Sequence, residues 1–197
     1  MYSNYEIVIV GHSLGGALAS VASVDLQFDR IISTAKTTQY TFGMPRTGDE
    51  TFARNHDSSI PNSFRVVHYK DIVSQMPPAM FGYFHHQLEI FYDKQMSIGS
   101  DYKVCYEYED ESCSNGVYPS LFPAEYHGKY YNITVGSYCD SVTKKRHKRS
   151  DEASDMSHLF TKDKCRRLTN EDIPTSNAQS YHGITELSMV FILIMNA

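Results

Sequence analysis

A strand, a sharp turn and a helix follow one another directly in residues 7–22, and this segment constrains the fold more than any other part of the 197-residue chain. Residues 7–10 read Ile-Val-Ile-Val, a run of β-branched residues that predicts a short buried strand. Residues 11–15 read Gly-His-Ser-Leu-Gly, and the small residues at 16–22 predict a closely packed helix. A buried strand that leads through a glycine turn into a helix is the unit from which α/β sheets are built.

The Gly-x-Ser-x-Gly sequence of this turn predicts a nucleophilic serine at position 13. Glycines beside the serine leave room for a strained turn that lifts the side chain clear of the sheet, at the positive end of the following helix. The alternative is a glycine turn with an incidental serine, since the pattern is common by chance. A phosphate-binding loop would need a lysine after the second glycine, and none follows here. The strand before the turn and the helix after it favour the nucleophile.

The chain continues in the same alternating way to about residue 140, which predicts an α/β sheet. Further strands are predicted at 38–42, 63–69, 87–92 and 103–106, and a second helix at 49–56. A parallel sheet needs neighbours on both sides of its strands, so we expect residues 1–140 to form the C-terminal part of a larger domain.

Residues 141–197 differ in composition from the rest of the chain. A basic run at 144–149 is followed by polar sequence, which predicts a mostly disordered tail. The apolar stretch at 189–195 is too short to cross a bilayer, which needs about 20 residues. The net charge of −5 gives no reason to expect nucleic-acid binding.

A serine nucleophile needs a base, and the base needs an acid that orients it. In α/β sheets of this kind the acid follows the serine along the chain, at the C-terminal end of a strand. Asp71 follows the strand at 63–69 and is the favoured acid, although an ordinary loop carboxylate would fit the same place. The other candidates are Asp49, Asp57 and Asp93, of which Asp49 reads as a helix cap.

The chain contains nine histidines, and His127 is the favoured base. It follows Asp71 in the chain and lies in a polar, aromatic segment near the end of the predicted domain. His158 is the alternative, because an aromatic residue also follows it, but it lies beyond the basic run. His12, inside the turn itself, is expected to point away from Ser13.

The cysteines and one glycosylation sequence are typical of a secreted protein, although residues 1–6 do not read as a signal peptide. Cys105 and Cys113 flank an acidic loop that a local disulfide would close. The chain has no Cys-x-x-Cys pair, so no structural zinc site is expected, and no other pattern requires a metal or a cofactor. Asn132 begins the one Asn-x-Ser/Thr sequence, the pattern of N-glycosylation.

Several ordered segments resemble the class 3 lipase family, the group of the fungal triacylglycerol lipases. They are Gly-His-Ser-Leu-Gly-Gly-Ala at 11–17, Thr-Phe-Gly-Met-Pro-Arg-Thr-Gly-Asp at 41–49 and Lys-Asp-Ile-Val-Ser-Gln-Met-Pro-Pro at 70–78. Residues 85–92 are similar to a later family segment. The loop at 105–113 and the His-Gly-Lys-Tyr-Tyr-Asn sequence at 127–132 resemble the animal branch. The resemblance covers about residues 5–139.

This resemblance implies a partial α/β-hydrolase fold and hydrolysis of lipid esters at a lipid–water interface, outside the cell and without a cofactor. It assigns Ser13 as the nucleophile, Asp71 as the acid and His127 as the base. The backbone N–H of Leu14 would supply one oxyanion donor. The family's second donor and its lid come from segments that precede the nucleophile strand, and we expect this chain to lack them. The alternative function is therefore a catalytically impaired fragment or a non-enzymatic lipid-binding remnant.

Overall fold

The computed structural model describes residues 5–121, 123–135 and 190–196, and these fall into two compact units. In chain order the elements are β1 (Tyr5–His12), α1 (Leu14–Phe28), β2 (Thr37–Phe42), α2 (Glu50–Ser59), β3 (Ser63–His68), β4 (Glu89–Tyr92), β5 (Lys103–Cys105), α3 (Pro123–Tyr126), β6 (Lys129–Tyr130), β7 (Ile133–Thr134) and β8 (Val190–Asn196). β7 lies in the second unit, residues 133–184, and every other element lies in the first.

A six-stranded mixed sheet forms the first unit, in the order β5-β4-β3-β2-β1-β8. β1, β2, β3 and β4 pair in parallel, and β5 and β8 pair antiparallel at the two edges. Helices α1 and α2 connect the first three strands, as βαβ crossovers do. The predicted α/β sheet is therefore confirmed, and its parallel strands bring the residues at their carboxyl ends to one edge.

β8 differs from the tail that the sequence predicted across 141–197. Residues 190–196 pair antiparallel with β1, from Gly11 opposite Val190 to Tyr5 opposite Asn196. A short apolar run fits an unpaired sheet edge as well as it fits an irregular terminus, and composition alone does not separate the two. The predicted tail therefore does not extend over these seven residues, and residues 136–189 lie outside the described part of the chain.

Close contact between α1 and the loop after β2 depends on small side chains. A Cβ on Gly16 would lie 2.9 Å from the Cβ of Met44. Ala19, on the same helix, is fully buried in a cluster with Ile7 and Ile9 of β1. The small-residue helix predicted from the sequence thus packs its backbone directly against the sheet, which fixes the position of the turn that precedes it.

The loop between Cys105 and Cys113 is closed by a disulfide, as the sequence predicted. Within this loop Glu109 pairs with the buried guanidinium of Arg46, with contacts of 2.9 and 2.5 Å. Burial opposes ionisation of this carboxyl, but the Arg46 guanidinium holds the pKa of Glu109 below its ordinary value. Arg46 also donates to the carbonyls of Gln75 and Pro77, at 2.6 and 3.1 Å. The loop is thereby tied to the segment that follows β3.

None of the helices in residues 5–121 and 123–135 is long and apolar enough to cross a membrane.

The helix at Glu50–Ser59 begins as the sequence predicted, because the carboxylate of Asp49 accepts a hydrogen bond from the N–H of Phe52 at 2.8 Å. Asp49 is therefore a helix cap.

Candidate active site

Ser13 is the single residue between the end of β1 and the start of α1. Its backbone has φ 57° and ψ −131°, a conformation that costs free energy and is common at reactive turns. The N–H of Ser13 donates to the carbonyl of Phe42, at 2.9 Å, and so anchors the turn to the end of β2. A Cβ on Gly11 would overlap the carbonyl of Gly15, so the turn requires glycine there. These constraints hold the serine hydroxyl at the carboxyl edge of the sheet.

Asp71 lies three residues beyond the end of β3 and is almost completely buried. Its Oδ1 accepts a hydrogen bond from the N–H of Val73, at 2.9 Å. Its Oδ2 lies 2.9 Å from Nδ1 of His127 and accepts a hydrogen bond of 2.6 Å from the hydroxyl of Tyr130. These contacts hold the carboxylate in one orientation.

His127 lies between α3 and β6, and its ring connects the other two residues. Nδ1 faces Asp71, and Nε2 lies 2.8 Å from the hydroxyl oxygen of Ser13. With a proton on Nδ1, Nε2 is left free to accept the serine proton. The structure thus brings together three residues that the sequence selected independently, separated by 114 and 56 positions in the chain.

The alternative acids do not join this arrangement. Asp49 caps α2, and Asp57 accepts hydrogen bonds from the N–H of Gln87 and the hydroxyl of Tyr108. Asp93 is exposed beyond the end of β4. His158, the alternative base, lies outside the described residues.

Tyr130 and His12 belong to the site, although the sequence did not indicate either. The buried Tyr130 hydroxyl accepts from the N–H of His68, at 3.3 Å, while it donates to Asp71. Burial, together with the charge of Asp71, raises the pKa of Tyr130 well above its ordinary value, so the hydroxyl remains a donor. Tyr130 therefore positions the carboxylate.

The His12 ring packs against the ring of the proposed base, a contact that the expected orientation away from Ser13 did not include. The centroids of the His12 and His127 rings are 4.6 Å apart, and His12 Nε2 lies 3.0 Å from the carbonyl of His127. Burial and the neighbouring His127 ring lower the pKa of His12, which keeps a second positive charge away from the base. The sequence could not indicate this contact, because His12 and His127 are far apart in the chain and meet only in the folded structure.

The backbone at Gly43 approaches the paired side chains of Asp71 and His127 closely. Its φ is +57°, and a Cβ there would lie 2.5 Å from Asp71 Oδ2, 2.8 Å from the Tyr130 hydroxyl and 2.9 Å from His127 Nδ1. Both the conformation and the lack of space require glycine. The residue after β2 therefore forms a wall against which the carboxylate and the imidazole are packed.

Leu14 is the first residue of α1, directly after the serine. The first N–H groups of a helix have no acceptor within the helix and carry the positive end of its dipole. The Leu14 N–H is one of these groups, and the Leu14 side chain is 53% exposed.

The chain is similar to several known proteins. Residues 1–81 match the family model described as Lipase (class 3). Lipase ZK262.3 of Caenorhabditis elegans is 32% identical over 166 residues, which cover 70% of this chain and 47% of that protein. The chain belongs to the class 3 lipase family. The family match includes the segments that carry Ser13 and Asp71, whereas His127 lies beyond it.

Two further class 3 lipase relatives extend the comparison. Secreted mono- and diacylglycerol lipase 1 of Fusarium solani is 35% identical over 117 residues, covering 57% of this chain and 34% of that protein. A solved triacylglycerol lipase, described as having a serine protease triad as its catalytic centre, is 33% identical with a TM-score of 0.61. That similarity covers 68% of this chain and 51% of the solved one. The chain spans about a third to a half of the length of these relatives.

Two adjacent histidines of this class 3 lipase chain, His85 and His86, are buried without charge. Burial lowers the pKa of both imidazoles well below the ordinary value of 6.5, with the Arg65 guanidinium adding to the effect. His85 Nε2 lies 2.6 Å from the carbonyl of Ser74, in the segment that links Asp71 to the following loop. Both side chains therefore stabilise the fold as neutral groups.

Stability should consequently fall as the pH drops through 6.5. The unfolded chain takes up protons on His85 and His86 below this pH and the folded chain does not, so protonation favours unfolding. We expect the free energy of unfolding to fall by about 1 kcal/mol per histidine for each pH unit below 6.5. Urea midpoints at pH 7.5 and 5.5, measured in EDTA, test this expectation. Equal midpoints would contradict it, and a His85→Gln variant should show a smaller difference between the two pH values.

Proposed function

We propose that this chain hydrolyses lipid esters by transferring the acyl group to Ser13 and then to water. The proposal rests on one observation, the continuous hydrogen-bonded series from the Ser13 hydroxyl through His127 to Asp71, with distances of 2.8 and 2.9 Å. Relatives in the class 3 lipase family are named lipases, which supports the same reaction. Because the chain covers only part of those relatives, its own activity is a proposal to be tested.

The proposed reaction has two halves: Ser13 is the nucleophile in the first and the leaving group in the second, and His127 transfers the proton in both. His127 Nε2 accepts the proton of Ser13 as the serine oxygen attacks the ester carbonyl carbon. The oxyanion accepts a hydrogen bond from the N–H of Leu14, and the imidazolium is stabilised by Asp71. His127 then protonates the departing alcohol. In the second half a water molecule gives a proton to His127 and attacks the acyl carbon. The bond to the Ser13 oxygen then breaks, His127 gives the proton to that oxygen, and the fatty acid leaves.

The proposed substrates are acylglycerols or related lipid esters presented at a lipid–water interface. Two relatives are named for triacylglycerol and for mono- and diacylglycerols, which supports a glycerol ester. The exposed side chain of Leu14 beside the serine hydroxyl also favours an apolar substrate.

We also propose that the protein acts outside the cell. The loop closed by Cys105 and Cys113 would persist in an oxidising compartment, and one relative is named as a secreted lipase. Asn132 is exposed and carries the glycosylation sequence, so we propose that it is modified. We propose further that the lipase-like part ends near residue 140.

The decisive experiment is covalent labelling of the full chain with a fluorophosphonate probe. We expect stoichiometric labelling at Ser13, mapped by peptide mass spectrometry, together with turnover of p-nitrophenyl esters of short and long acyl chains. Labelling that is distributed over several serines, or absent in a folded preparation, would overturn the proposal. Binding to phosphatidylcholine vesicles without labelling would instead support the non-catalytic alternative.

A further inference from the structure

The orientation of Asp71 depends on the short turn that follows it. Oδ1 of Asp71 accepts a hydrogen bond from the N–H of Val73 at 2.9 Å, and Val73 begins a single 3-10 turn that ends at Gln75. Such a turn is held weakly by its own hydrogen bonds, so contacts from other loops determine where it lies. Residues 73–77 are called the acid turn below. A contact that fixes the acid turn also fixes the direction of the proposed catalytic carboxylate.

Arg46 binds the acid turn through three consecutive carbonyl groups. Its guanidinium donates to the carbonyls of Gln75 and Pro77, at 2.6 and 3.1 Å. Its backbone N–H donates to the carbonyl of Met76, at 2.8 Å. The residue is only 5% exposed. Because the guanidinium is planar and its donors keep a fixed geometry, these bonds hold the acid turn in one position relative to the loop after β2.

Glu109 in turn holds the guanidinium of Arg46. Oε1 accepts from Nε at 2.9 Å and Oε2 accepts from Nη2 at 2.5 Å, and the two side chains are 4% and 13% exposed. Oε1 also accepts from the N–H of His85, at 2.8 Å. A bidentate pair of this kind fixes the plane of the guanidinium as well as its distance. Without Glu109 the charge of Arg46 would be buried without a partner, which favours movement of the guanidinium toward water.

The loop that carries Glu109 reaches the acid turn a second time. A disulfide closes this loop at its two ends. Directly after the loop, the carbonyls of Ser114 and Val117 accept hydrogen bonds from the side-chain amide of Gln75, at 2.9 and 2.7 Å. The acid turn is therefore held at its backbone carbonyls by Arg46 and at a side chain by the residues that follow the loop.

We propose that Glu109 is a positioning residue for the proposed catalytic acid. Through Arg46 it holds the acid turn, from which the N–H of Val73 directs the carboxylate of Asp71. A carboxylate in that direction lies 2.9 Å from Nδ1 of His127. Glu109 acts through other residues and not on the reacting atoms. The inference rests on the proposed function, because the direction of Asp71 affects turnover only if His127 is the base.

Glu109→Gln tests the proposal, because it removes the charge and keeps the shape of the side chain. We expect kcat for p-nitrophenyl butyrate to fall by about 10- to 100-fold, with KM changed by less than about twofold, since a small displacement of a catalytic group has an effect of this size. Glu107→Gln is the matched control, because Glu107 is an exposed glutamate of the same loop, and it should keep full kcat. Circular dichroism and Tm show that each variant is folded.

Arg46→Lys is a second variant that keeps a positive charge opposite Glu109, and it serves if Glu109→Gln does not fold. A single ammonium cannot bind the carboxylate and both carbonyls of the acid turn together, so we expect a similar loss of kcat. Full kcat in folded Glu109→Gln or in folded Arg46→Lys would overturn the proposal.

A double variant separates positioning from a general loss of structure. In the Asp71→Asn background, Glu109→Gln should change kcat by less than about twofold, because no charged acid remains to be directed. A role in stability alone would lower kcat by the same factor in both backgrounds, and that result would overturn the proposal.

A readout that needs no turnover distinguishes this proposal from ester hydrolysis itself. The proton on Nδ1 of His127, donated to Asp71, gives a low-field resonance in the NMR spectrum that reports on this hydrogen bond. We expect the resonance to shift or broaden in Glu109→Gln and to stay unchanged in Glu107→Gln. An unchanged resonance in Glu109→Gln would overturn the proposal even in a chain that hydrolyses esters. A shift in a chain that lacks turnover would support the positioning of Asp71 and would overturn only ester hydrolysis.

Discussion

Replacement of Ser13 by alanine is expected to lower kcat/KM for ester hydrolysis by at least about 10⁴-fold. The substitution removes the only atom that attacks the carbonyl in the proposed reaction, and it leaves His127 without a proton to accept. The backbone at residue 13 has φ 57°, a strain that alanine and serine share, so the turn should keep its shape. Hydrolysis of p-nitrophenyl butyrate under initial-rate conditions measures the effect.

The matched control for this prediction is Ser58→Ala. Ser58 is an exposed serine whose hydroxyl bonds only to carbonyls of its own helix, at 3.0 and 3.1 Å. Both variants should have the circular dichroism and Tm of the unaltered chain, and only Ser13→Ala should lose turnover. Residual activity above about a tenth of the original would show that another group performs the reaction.

The fold could be predicted from sequence where the signals are local. The β-branched run at 7–10, the glycine turn and the small-residue helix define β1 and α1, because each depends on residues close together in the chain. The pairing of β8 with β1 joins residues that are 179 to 191 positions apart (190 − 11 and 196 − 5), and no local pattern specifies such a partner. An apolar heptapeptide fits an edge strand, a buried strand or an irregular end equally well.

In the candidate site, too, the residues with sequence signals could be predicted and those that act through tertiary contacts could not. The sequence could select all three proposed catalytic residues. Ser13 lies in a local motif, Asp71 follows a predicted strand, and His127 comes after the acid in the chain. Tyr130 contributes through a hydrogen bond from its hydroxyl to Asp71, and Gly43 contributes because it has no Cβ that would collide with Asp71. Both contacts are tertiary. An ordinary tyrosine and an ordinary turn glycine carry no signal of that role.

Asp71→Asn is the second large effect, and we expect it to lower kcat by about 10⁴-fold with little change in KM. An asparagine side chain can donate its amide N–H to Nδ1 of His127, which favours the tautomer with the proton on Nε2. That proton faces the Ser13 hydroxyl, so the imidazole can no longer accept from the serine. The N–H of Val73 can still donate to the asparagine oxygen, as it does to Oδ1 of Asp71, which preserves the local turn. The Tyr130 hydroxyl loses its acceptor, because it contacts the same Oδ2 position that faces His127.

Asp93→Asn is the matched control, because Asp93 is the exposed carboxylate that follows β4 as Asp71 follows β3. It should retain full kcat. Tyr130→Phe separates orientation from ionisation, since it removes one donor to the carboxylate but leaves its charge, and it should lower kcat far less than Asp71→Asn does. If Asp71→Asn and Asp93→Asn were equally active, the hydrogen bond of 2.9 Å between Asp71 and His127 would have only a structural role. If Tyr130→Phe lost as much kcat as Asp71→Asn, the position of the carboxylate rather than its charge would determine the tautomer of the base.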